Sequence, residues 1–187
     1  MALLKSPSLF YFLNQSAKHI AARDWDYSGR AIRHSVQLHL DHITRGGDPF
    51  ELLEARPLDF GHWSAHKLEA LTHYGLRHGE AVSIGVAIDT VYSHLMLGLP
   101  QTVAGQTLDI LQRLQLPIYH AALNESAIFD GLEEFRQHLG GELTVTMIQQ
   151  VGQPVDVHTI DHSAMRDAMQ YVSERSRSRC VVVADGP

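Results

Sequence analysis

Apolar residues recur along this chain mostly at the three-to-four-residue spacing of amphipathic helices. Leu9, Phe10, Phe12, Leu13, Ala17 and Ile20 mark a helix over Ser8 to Ala22. Ile32, Ser35, Leu38 and Leu40 mark a second over Tyr27 to Ile43. Gly46-Gly47-Asp48-Pro49 breaks the pattern and predicts a loop. A third helix runs from Trp63 to His73, with Gly75 behind it. The stretch from Glu80 to Leu97 is apolar on all sides (Val82, Ile84, Val86, Ile88, Val91, Tyr92, Leu95), which predicts a central buried helix. Thr102 to Leu114 and Ser126 to Leu139 read as further helices, the first stopped before Pro117.

The period then changes. Leu143, Val145 and Met147 alternate, Gly152-Gln153-Pro154 turns, and Val155, Val157 and Ile160 return, so one hairpin is expected over about 142–160. Ser163 is the expected cap of a last helix reaching about Arg175. The pattern thus predicts a mainly α fold, a helical array with one small β-hairpin. One domain would occupy residues 1–175, and residues 176–187 would form a disordered tail.

Composition narrows the partners. The formal net charge of −6 over 187 residues argues against nucleic acid as the main partner. No run of 18 apolar residues occurs, so no membrane span is expected. The first residues show no signal peptide, and a cytoplasmic location is expected. Cys180 is the single cysteine, which excludes a disulfide framework or a cysteine-built zinc site within one chain. Thirteen histidines against fifteen Lys plus Arg direct attention to metal binding.

The informative stretch is Arg56 to Glu80. His62 and His66 are four residues apart and share a helix face, and His78 follows the helix break. Three histidines within seventeen residues fit a divalent-metal constellation. Spacing alone fits better a cap residue at His62, a satisfied core histidine at His66 and a helix start at His78. If the metal reading holds, the connection from His73 to His78 must fold back along the preceding helix. Lys67 and Glu69 read as solvated helix face, and Glu80 as a first-turn carboxylate complementing the helix dipole.

Asp59-Phe60-Gly61-His62, then His66, then His78-Gly79-Glu80-Ala81-Val82 resembles the pattern of the 3-dehydroquinate synthases and related sugar-phosphate cyclases. The likeness is specific over residues 56–85. It implies that His62 and His78 bind zinc, or another divalent ion such as cobalt, and that His66 serves as acid/base. It also implies that Asp59 and Arg136 contact substrate, while Arg56 reads either as a ligand for substrate phosphate or carboxylate or as a surface residue before Pro57. Asp59 stands where the synthases carry Asn, which suits sugar hydroxyls better than a carboxylate and points to the cyclase-like branch.

In that family a third zinc ligand, a Glu, precedes a Lys by three residues. The segment Met1 to Lys5 is expected to begin just after that point, with the N-terminal NAD-binding domain absent. The expectation is therefore a truncated carbon–oxygen lyase acting on a heptulose phosphate or heptulosonate phosphate. It would be inactive alone and would need a NAD-binding partner domain, the intact family being homodimeric. An apolar flank around Leu3, Leu4, Phe10 and Phe12 should then be exposed and drive self-association. The competing reading is a non-catalytic helical module that binds metal or a partner.

Overall fold

A computed structural model describes residues 1–45 and 57–184, with side chains as far as Ser178. Its order is α1 (Ala2–Lys5), α2 (Pro7–Ala21), α3 (Trp25–Arg45), α4 (His62–Leu71), α5 (His78–Leu97) and α6 (Gln101–Arg113). Two 3₁₀ turns (Ala121–Asn124 and Ser126–Phe129) lead into α7 (Asp130–His138). The strands β1 (Val145–Gln150) and β2 (Gln153–Val157) and the last helix α8 (His162–Ala184) follow. The fold is the mainly α array with one antiparallel hairpin that the pattern predicts, pairing Val145 with Val157 and Met147 with Val155. No helix among the described residues is long and apolar enough to cross a membrane.

Local chemistry sets the ends. Ser6 caps α2 by accepting the Leu9 N–H at 3.1 Å, and Pro7 occupies the first turn, where a missing N–H costs nothing. Gly98 closes α5 in the left-handed region, φ +81°.

α5 is the axis of the molecule, packed by α4, α6, α8 and β1. Ala81, Ile84, Ala87, Ile88, Val91 and Tyr92 are buried along it, and the Tyr92 hydroxyl accepts the Asp161 N–H at 3.1 Å. Truncating Ile88 to alanine is expected to lower unfolding free energy by about 2–5 kcal/mol, read from urea denaturation, because the packed site cannot collapse around the void. A change below ~1 kcal/mol would show that α5 is not the core.

Several boundaries differ from the pattern. The helix expected over Ser126 to Leu139 is broken into a 3₁₀ turn and α7. Asp161, not Ser163, caps α8, its carboxylate accepting the Ser163 and Ala164 N–H groups at 2.8 and 2.9 Å. α8 also continues to Ala184 instead of ending near Arg175, since no Gly or Pro interrupts the chain until Gly186.

The expected apolar flank is not there. Leu3, Leu4 and Phe10 are only 9%, 1% and 8% exposed. Their cover comes from this chain: α1 packs on the hairpin, whose Gly152 N–H donates to the Leu3 carbonyl at 2.7 Å. α2 lies on α6, where Arg113 clamps the Asn14 carbonyl and side chain. Phe12 is half-buried, stacked near Tyr27 with the Arg30 guanidinium 4.6 Å from its ring. The exposed apolar row belongs instead to α3, at Trp25, Ile32, Val36 and Leu40.

Candidate metal centre

Two glycines bring the site together. Gly61 sits in the left-handed region (φ +82°) just before α4, where an L side chain is strained. Its carbonyl oxygen would lie 1.9 Å from a Cβ on Gly85 of α5, so the two backbones touch where any side chain would part them. Asp89, one turn further along α5, is fully buried and accepts the Gly61 N–H at 3.0 Å and the Trp63 indole N–H at 2.9 Å. Burial pushes its carboxyl up to about 7, with these two donated hydrogen bonds pulling the other way.

This clamp fixes the start of α4 against α5. His73 and Tyr74, with φ of 50° and 60°, then turn the chain back after α4. The Tyr74 N–H donates to the Glu69 carbonyl at 2.7 Å. The connection thus folds back along α4. The ring centroids of His62 and His78 stand 5.4 Å apart, and each is 5.7 Å from that of His66. The three imidazoles form a near-equilateral triangle at the α4–α5 junction.

Glu69 lies at its edge. Its Oε2 is 3.2 Å from His66 Nδ1 and 3.2 Å from His78 Nδ1, and its side chain is 15% exposed. Ligand atoms of His66, Glu69 and His78 lie within 4.8 Å of one another. The expectation of a solvated face at Glu69 is therefore corrected. Residue spacing could not reveal this contact, since the His78 that meets Glu69 comes from the far side of a loop. Lys67 is corrected too: it is largely buried and bonds Glu134 of α7 at 2.6 Å. Glu80 keeps its first-turn role, accepting the Arg77 N–H at 3.0 Å.

The donor set suits a divalent ion. Imidazole nitrogens are what zinc takes in four-coordinate sites, and cobalt(II) accepts the same donors. Burial lowers the His62 imidazole below its ordinary range. The His66 and His78 rings push the same way, against its hydrogen bond with the Phe60 carbonyl and the Glu69 charge. The neutral ring that results is the ligating form.

His66 and His78 face solvent. His62 borders an apolar cavity of about 260 Å³ walled by Leu3, Phe60, Val82 and Val86. A larger cleft of about 480 Å³ at α8, lined by Arg166 and Glu174, contains none of the three histidines. Donor chemistry rather than size marks the site.

Asp59 is half-buried in the turn before α4, and its carbonyl accepts the His62 N–H at 2.9 Å. Arg136 on α7 is held by Glu133 at 2.6 and 2.8 Å and by the Gly141 carbonyl at 2.6 Å. Arg56 and the Gly46–Pro49 loop lie outside the described residues.

Comparison with known proteins places the chain in a family. The family model described as 3-dehydroquinate synthase C-terminal matches residues 1–138. A 3-dehydroquinate synthase of Latilactobacillus sakei is 30% identical over 126 residues, 67% of this chain and 32% of that protein. A 2-epi-valiolone synthase of Actinosynnema mirum is 30% identical over 179 residues, 90% of this chain and 45% of its own length. The solved 2-epi-5-epi-valiolone synthase of Streptomyces hygroscopicus subsp. jinggangensis, with NAD+ and Zn2+ bound, superposes with a TM-score of 0.83 at 26% identity. That match covers 93% of this chain and 48% of the solved one. The chain thus spans less than half the length of each of these relatives. With the helical array, the histidine cluster and the matched residues in agreement, the chain belongs to the 3-dehydroquinate synthase C-terminal family.

Proposed function

We propose that this chain is the metal- and substrate-binding half of a sugar-phosphate cyclase that eliminates phosphate from a heptulose phosphate or heptulosonate phosphate. The convergence of His62, His66 and His78 at the α4–α5 junction beside Glu69 carries the reading. A divalent ion held by His62 and His78 would supply Lewis-acid polarisation of a ring hydroxyl, and NAD on a partner domain would supply transient oxidation.

The chain's own residues do the rest. His66, exposed beside the metal-binding pair, moves a proton at Nε2. Asp59 accepts hydrogen bonds from sugar hydroxyls. Arg56 and Arg136 receive the phosphate, Arg136 by exchanging Glu133 for it. The clamp at Gly61 and Asp89 keeps the start of α4, and with it His62, in register with α5. The assembled enzyme would be a homodimer.

Zinc titration of the purified chain tests the metal assignment. One equivalent should bind, and His78→Ala should weaken it at least tenfold. No binding tighter than millimolar by the unmodified chain would sink it. Supplied with zinc, NAD and sedoheptulose 7-phosphate, the chain alone should release no phosphate above background. Release should appear once a NAD-binding domain is added, an outcome a non-catalytic module would not give.

A further inference from the structure

Each histidine of the cluster has its Nδ1 against an oxygen: His62 Nδ1 lies 3.3 Å from the Phe60 carbonyl, and His66 and His78 Nδ1 each lie 3.2 Å from Glu69 Oε2. A carbonyl and a carboxylate accept hydrogen bonds and do not donate them, so the proton in each contact must sit on Nδ1. In a neutral imidazole that leaves the lone pair on Nε2. We propose that Glu69 is a positioning residue that locks His66 and His78 together in the Nδ1–H tautomer, presenting both Nε2 atoms to the metal and substrate. This deepens, and rests on, the metal-and-substrate reading above.

Three structural features support a single shared carboxylate. Glu69 is three residues after His66, so both side chains rise from one face of α4. His78 is the first residue of α5 and reaches the same oxygen only because residues 72–77 fold back. The Glu69 side chain is mostly buried while both rings are mostly exposed, so the carboxylate is fixed from within and the rings are oriented outward from it. One acceptor then sets two functions at once. It orients His78 toward the ion, as carboxylates do for ligating histidines generally, and it leaves His66 with a basic Nε2 facing substrate. A rotation of either ring would break its bond to Glu69.

The experiment is nitrogen-15 NMR of the histidine-labelled full chain at about pH 8, where unperturbed imidazoles are neutral. Chemical shifts separate a protonated ring nitrogen from a bare one, residue by residue, without metal. His66 and His78 should both be Nδ1–H in the unmodified chain. Glu69→Ala should leave both as tautomer mixtures while circular dichroism stays that of the folded chain. Its zinc affinity should fall about 10–100-fold. Glu69→Gln keeps an acceptor oxygen and should retain the tautomers, with a smaller loss of affinity. Zinc added to the unmodified chain should shift Nε2 of His78.

An Nε2–H tautomer at either ring would overturn the proposal, as would tautomers unchanged in Glu69→Ala. Zinc binding through the two Nδ1 atoms and Glu69 would overturn it as well, by making Glu69 a fellow ligand. If the unmodified chain binds no zinc, the metal reading fails, yet the tautomers of the metal-free protein still decide the role of Glu69.

Discussion

Replacing Gly85 with alanine is expected to cost on the order of 3 kcal/mol or more of stability. The added methyl would meet the Gly61 carbonyl oxygen at 1.9 Å and the Ser64 Oγ at 2.9 Å. The first is backbone, fixed by the Asp89 bond to Gly61, so it cannot swing aside as a long side chain would. Relief requires the start of α4 to lift off α5, which carries His62 away from His78. Zinc affinity should therefore fall together with the urea midpoint. Gly79→Ala is the control: the same substitution in the same helix, with no atom within 4 Å of the new methyl. It should be neutral or slightly stabilising, because alanine is the better helix former. Equal behaviour of the two variants would mean that the α4–α5 contact is looser than described.

The second large effect is a pH dependence set by Asp89. Burial raises its folded-state pKa to about 7 from an ordinary 3.8, so the folded chain keeps a proton that the unfolded chain releases. The stability this contributes is fully present below about pH 4 and is lost as pH rises through about 7. The loss is on the order of 4 kcal/mol across that window. Asp89→Asn cannot titrate and should flatten this part of the profile. It should also be less stable than the unmodified chain at pH 5, because one amide oxygen must serve both the Trp63 and Gly61 donors while its own N–H₂ faces one of them. Urea midpoints between about pH 4.5 and 8 provide the comparison. If the slope over that range is the same with Asn at this position, the group responsible lies elsewhere.

Much of the fold was legible because single elements announce themselves. An all-round apolar run could only be the central helix α5, and a switch to alternation with Gly152 between could only be the hairpin. The histidines of the site were legible for the same local reason, the four-residue spacing of His62 and His66 and the motif around His78. What stayed hidden depends on which surfaces meet. Glu69 and Lys67 carry the charges of a solvated face, and only the return of residues 72–77 and the docking of α7 show what they touch. Asp89 draws no reading from the sequence, and its role shows only where Gly61 and Trp63 meet it from the start of α4. Leu3, Leu4 and Phe10 look like an uncovered flank until the hairpin and α6 cover them, contacts made across most of the chain's length.

The bond between the Gly152 N–H and the Leu3 carbonyl has a kinetic consequence. It joins the first helix to the turn of the hairpin and so closes residues 3–152 into one loop. Closing so long a loop is entropically costly before other contacts shorten it. α1 has only four residues and cannot persist as a helix by itself. It is therefore expected to dock on the hairpin only after α5 has gathered those strands. In pulsed hydrogen exchange during refolding, amides of α5 and β1 should gain protection first. The Gly152 amide, reporting the closure, should gain it with the slowest phase.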